Sequence, residues 1–153
     1  MRVIAGSAQG GFAGDGAAGL NARFNVLSSI RGNGTTFFVA DTFNHRIRTL
    51  SLVVPSTLAP MSGNDQSAAV NTALANPLVV QVRLADGTPV PGVPVTFAAS
   101  AGGLDVATPV LTGADGTASA RLTLPPGVGP VTVTAAVEGL PPVTFTATAL
   151  PAP

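Results

Sequence analysis

The chain has 153 residues, of which 46% are hydrophobic and only 9% charged, with seven basic residues balancing seven acidic ones. That is the length of one domain or two small ones. No apolar run approaches the ~20 residues that span a bilayer, and so uncharged a chain is neither a coiled coil, a basic nucleic-acid binder nor a charged disordered tail.

The first 54 residues predict four short strands, at Arg2–Ala5, Val26–Ile30, Thr36–Ala40 and Arg46–Leu52, with a turn at Gly32-Asn33-Gly34 between the second and third. Five of the seven Phe fall here: Phe12, Phe24, Phe37, Phe38 and Phe43. All 14 prolines lie at or after Pro55. Such a change of composition marks a boundary, and the Pro/Ser/Gly-rich stretch around it reads as a linker at 55–65. The expected organisation is a β-blade segment over 1–54, the linker, and a second domain over 66–153.

That second domain alternates with a period of two. Leu78, Val80, Val82 and Leu84 share one face, and so do Val93, Val95, Phe97 and Ala99. The same holds for Ala118, Ala120, Leu122 and Leu124, for Val131, Val133, Ala135 and Val137, and for Val143, Phe145, Ala147 and Ala149. Thr and other residues fill the alternate positions, which suits a pleated sheet with one buried and one wet face. Asp86-Gly87, Asp115-Gly116, Pro126-Gly127 and Glu138-Gly139 punctuate the runs as turns. Many short strands at this spacing predict an all-β, immunoglobulin-like antiparallel sandwich.

Two resemblances sharpen this reading. Asn76-Pro77 before LVVQV, the turn DGTPVPG over 86–92, the strand PVTF, Asp115-Gly116 and the closing VTFTATA are similar to the bacterial Ig-like domain of invasin and intimin type adhesins, over about residues 61–150. The likeness implies a rigid extracellular spacer or adhesion module. Residues 2–52, through IAG, GGFAGDG, LNARFN and above all FVADTFNHRIR, resemble a single NHL repeat, the unit of one class of β-propeller. One blade cannot cover both its faces, and such units need stacked neighbours. The five Phe are therefore expected to stay partly exposed and to mark an interaction surface.

Charge is divided unevenly. Residues 1–55 hold five Arg against Asp15 and Asp41, net +3, and residues 56–153 hold Arg83 and Arg121 against four Asp and Glu138, net −3. Opposite halves attract, within a chain or between chains.

No set of residues points to catalysis, a cofactor or a metal. His45 is the only histidine, without Cys or a second His to complete a ligand set. Asp15, Asp86 and Asp115 precede Gly and read as turn residues rather than calcium ligands. The Gly-rich GSAQGGFAGDGAAG lacks the Gly-Lys-Ser/Thr of a phosphate loop, and Ser7, Ser28 and Ser29 lack a nucleophile-elbow context. Asn33-Gly34-Thr35 is a glycosylation sequon and equally an ordinary Asn-Gly turn. Arg23, Arg31, Arg46 and Arg48 either bind an anionic glycan or surface, or make structural pairs with Asp41.

The expected function is that of a non-catalytic, extracellular or cell-surface structural protein. It would self-associate, as a fibre or surface-array subunit, through Phe12, Phe24, Phe37, Phe38, Phe43, Arg46, Arg48 and free strand edges. The partner is then another copy, as a homo-oligomer or polymer, with no nucleic acid and no membrane insertion. The alternatives are an adhesin module holding a host or glycan partner, or a fragment of a larger NHL-propeller protein.

Overall fold

The computed structural model describes residues 5–7, 9–15, 21–32 and 34–153. They form two compact units, Met1–Val54 and Pro55–Pro153. Among them no helix is long and apolar enough to cross a membrane.

The N-terminal unit is a three-stranded antiparallel sheet of β1 (Leu27–Gly32), β2 (Thr36–Asp41) and β3 (Arg46–Ser51), in that order. Three strands are described where four were expected. Residues 2–4 of the expected first strand lie outside the described residues, and Ala5 sits in a bend. Asn33 of the sequon also lies outside them. Gly32 stands opposite Phe37 in the β1–β2 register, and a side chain at Gly32 would run into that ring. A single 3-10 turn, Thr42–Asn44, links β2 to β3 and ends on His45 in the left-handed conformation. Residues 11–15 and 21–25 pack against one face of the sheet. Ala13 bridges Arg23, and the Gly11 N–H donates to the Phe24 carbonyl.

The C-terminal unit is a sandwich. One sheet has the order β10 (Thr117–Ala120), β6 (Leu78–Arg83), β4 (Thr57–Ser62). The other runs β5 (Gln66–Ala69), β13 (Val143–Leu150), β12 (Gly129–Ala136), β7 (Pro94–Ala99), β9 (Val110–Leu111). A short pair, β8 (Gly103–Leu104) with β11 (Leu122–Thr123), lies beside them. All pairings are antiparallel except β13 with β5.

The expected linker at 55–65 is corrected by this topology. Residues 57–62 are β4, an edge strand paired with β6, with a register shift at Pro60. Proline is tolerated there because an outer strand has no second neighbour to receive its missing N–H. After β4 the chain crosses to the opposite sheet as β5. Gly63 makes the crossing with φ +93°, and its α-carbon lies so close to Pro77 that a β-carbon would strike the Pro77 carbonyl.

The core follows the period-two pattern. Leu78, Val80 and Val82 on β6 face Val95 and Phe97 on β7, Val131, Val133 and Ala135 on β12, and Phe145, Ala147 and Ala149 on β13. Leu74, Leu122 and Leu124 complete it. Burying side chains such as Phe97 and Phe145 contributes roughly 2–3 kcal/mol each. The other face carries cross-strand threonine pairs, Thr132 with Thr146 and Thr134 with Thr144. Their branched side chains suit the pleat and their hydroxyls suit water.

Candidate functional site

The residues expected to mediate contacts all lie in the N-terminal unit, and its sheet sorts them into two sets. Register places Phe37, Val39 and Asp41 on the same face as Leu50, Arg48 and Arg46. The other face presents Phe38 and Ala40 of β2, Ile47 and Thr49 of β3, and Arg31 of β1.

The first face is organised around Arg48, where residues 11–15 and 21–25 cover it, while Ile30 of β1 on the same face is exposed. Its Nη1 donates to the Arg23 carbonyl (2.7 Å) and its Nη2 to the Ala13 carbonyl (3.0 Å). It pairs with Asp15 at 2.5 Å and with Asp41 at 3.7 Å, and its guanidinium lies over the Phe24 ring, 4.7 Å from the centroid. Asp41 is wholly buried. It accepts hydrogen bonds from the Asn25 N–H (2.7 Å) and from Asn44 Nδ2 (2.9 Å), which also donates to the Gly11 carbonyl. Burial opposes ionisation of Asp41. The bonds from Asn44 and Asn25, with the Arg48 charge, outweigh it and hold the carboxyl below its ordinary range.

These contacts give Arg48 the structural pairing with Asp41, one of the two roles its sequence context leaves open. Arg48 is a buried strut that ties the covering loop to β3, not a surface cation. Asp15, read as a turn residue, is its ion-pair partner. Phe24 and Phe37 are half-buried within the unit, while Phe12, Phe38 and Phe43 are exposed. Arg46 is exposed and stacks on Phe12 at 4.0 Å. A depression of about 730 Å³ opens beside it, lined by Asp15, Phe24, Arg46, Arg48, Thr49 and Ser51 among others. His45 is exposed at the end of the 3-10 turn.

The second face is open. Phe38 is 49% exposed and Ile47, which sequence reasoning passed over, is 69% exposed. Ile47 alternates with Arg46 and Arg48, so period-two reading of HRIRTL would have found it.

In the sandwich, Asp86 and Asp115 cap their turns. Oδ1 of Asp86 accepts the Thr88 N–H, and Oδ1 of Asp115 accepts the N–H and hydroxyl of Thr117. The bonds from Thr88 and from Thr117 lower both carboxyls below their ordinary range. Gln81 occupies an outward position yet is buried, because the Asp115 turn closes over it: its Nε2 donates to the Asp115 carbonyl and its Oε1 accepts from Arg83 Nε. Among the described residues no group of three or more His, Asp or Glu is placed to hold a metal ion.

Two facing sheets, a first strand divided between them and a filled apolar centre define an immunoglobulin-like module. The chain belongs to the bacterial Ig-like domain (group 1) family, whose match spans residues 58–149. That match starts beyond the N-terminal unit and lends no support to the propeller-repeat resemblance of residues 2–52.

Among solved structures, the Yersinia pseudotuberculosis adhesin InvE is similar at 17% identity, covering 82% of this chain and 46% of that one, with a TM-score of 0.51. The Escherichia coli adhesin FdeC is similar at 15% identity over 84% and 48% of the two chains, with a TM-score of 0.49. A C-terminal fragment of intimin, solved with the intimin-binding domain of its translocated receptor, is similar at 24% identity over 63% and 33%, also with a TM-score of 0.49. The chain covers less than half the length of each of these structures. No curated protein matches it in sequence.

Proposed function

We propose that the protein is a non-catalytic structural module of the bacterial cell surface that self-associates through its N-terminal sheet. The observation that carries this is the open face of that sheet. Phe38 and Ile47 stand exposed side by side on one face of a three-stranded sheet, whereas the sandwich packs its main apolar cluster between two sheets. A two-sided sheet with one bare apolar face gains by covering it. The surface setting is supported by family membership and by the adhesins among similar folds. Sedimentation velocity and negative-stain microscopy of the purified chain, across a hundredfold range of concentration at neutral pH, test the proposal. Concentration-dependent growth of the particle is expected, and a monomer at every concentration would overturn it.

A second reading is an adhesin module that holds a glycan. The depression beside Arg46 favours it, since a polar hollow with an aromatic wall at Phe24 and a cation suits an acidic sugar. Binding by the monomer on a glycan array, abolished by Arg46→Ala, is the outcome that selects this reading.

A further inference from the structure

The two units carry opposite charge, and internal pairing makes the separation sharper than the sequence shows. Among the described residues the only ion pairs are those of Arg48 with Asp15 and Asp41. They consume both acids of the N-terminal unit. Arg23, Arg31 and Arg46 are left exposed without an acidic partner there. Arg31 stands directly opposite Phe38 in the β1–β2 register, so a cation borders the bare apolar face.

The sandwich shows the reverse. Its two arginines turn inward: Arg83 donates to Gln81 and the Gly87 carbonyl, and Arg121 to the Leu74 and Ala75 carbonyls. Asp65 and Asp105 are exposed as well but sit elsewhere on the sandwich, where they accept from the Thr146 hydroxyl and the Arg121 N–H. The remaining three acids gather at one pole. Thr57 pairs with Arg83 and Thr117 with Gln81, which brings the Asp86 and Asp115 turns to the end where β4 begins. Ala136 pairs with Thr96 and Pro94 with Leu111, which brings the Glu138 turn to that end as well. All three carboxylates are exposed.

The geometry points to a second copy of this chain as the partner of the N-terminal sheet, docked through the Asp86, Asp115 and Glu138 pole of its sandwich. This rests on the self-association proposed above and gives it a polarity. One surface of each copy meets a different surface of the next, so the contact is heterologous and propagates instead of closing on a two-fold axis. A face-to-face pairing of two N-terminal sheets would instead leave Arg31 without an acidic partner. Exposed charge pairs are individually weak, so the apolar face supplies most of the affinity and the charges select the orientation.

The test uses two full-length variants. The first, Asp86→Asn, Asp115→Asn and Glu138→Gln, neutralises the pole and keeps the acceptors that hold both turns. The second, Arg31→Ser, removes the cation that stands on the bare face beside Phe38. Each variant alone is expected to need roughly tenfold more protein than the wild type to associate at low salt, and high salt is expected to weaken the wild type similarly. Mixed together at low salt, the variants are expected to form one-to-one heterodimers that do not elongate, because each retains the surface the other lacks. Variants that still polymerise with wild-type concentration dependence would overturn the polarity while leaving self-association intact. Variants that stay monomeric when mixed would overturn it too, and would place the charges in contacts within one chain. A wild type that is monomeric throughout defeats the self-association itself.

Discussion

The Asp41 carboxylate and the Arg48 guanidinium lie 3.7 Å apart across the β2–β3 pair, Asp41 fully buried and Arg48 nearly so. Around them Asn44, Asn25, Arg23, Ala13 and Asp15 supply the remaining hydrogen bonds and the second ion pair. The buried side-chain polar atoms among the described residues all have partners. A small unit with few large buried side chains thus uses a satisfied polar centre to hold its covering loop.

Asp41→Ala removes the acceptor of two hydrogen bonds and leaves Arg48 with one exposed acid. Removing one partner of a buried pair costs about 3 kcal/mol. Amide hydrogen exchange is expected to show loss of protection over residues 21–32 and 34–48, with protection in β6, β7, β12 and β13 unchanged.

The same group sets an acid limit. Its folded-state pKa is depressed, so the associated stability is present above the unfolded value and is lost as pH falls through the folded one. The N-terminal unit is expected to keep constant stability above about pH 5 and to loosen below about pH 4. Exchange protection measured against pH checks this. Asp41→Asn should flatten the acid dependence while lowering the plateau.

Gly63→Ala is expected to destabilise the sandwich by about 2 kcal/mol or more, from positive-φ strain and the collision with the Pro77 carbonyl. Thermal unfolding followed by circular dichroism measures it. Gly87→Ala keeps a positive φ but meets open space, so it should cost less.

Val26 has φ +49°, a left-handed conformation that a β-branched residue avoids, and its side chain is 54% exposed. Val26→Gly is expected to stabilise the N-terminal unit by about 1 kcal/mol. Slower exchange of the Thr42 amide, which donates to the Val26 carbonyl, is the readout.

Much of the sandwich was legible because its strands are wet on one side. Where burial alternates, hydrophobicity does too, and Val131–Val137 and Val143–Ala149 show it plainly. The Asp86-Gly87 and Asp115-Gly116 turns were legible because the chemistry is local: an Asp side chain bonding the amide two residues on. Strand β4 was not. Its TLAPMS has one half-buried side chain among five exposed ones, so an edge strand containing proline reads like a linker. Gln81 reads as a wet position and becomes buried through a turn 34 residues away.

Sequence alone determined the all-β class, the faces of the main strands and the split of charge between the halves, since each depends on neighbours one or two residues apart or on simple counting. Tertiary structure alone decided which charges remain available. Arg46 and Arg48 are indistinguishable in HRIRTL. Folding brings Asp15, Asp41 and two carbonyls to Arg48 and leaves Arg46 at the surface on Phe12. An arginine's role depends on the acceptors within hydrogen-bond reach, and those come from segments up to 35 residues distant.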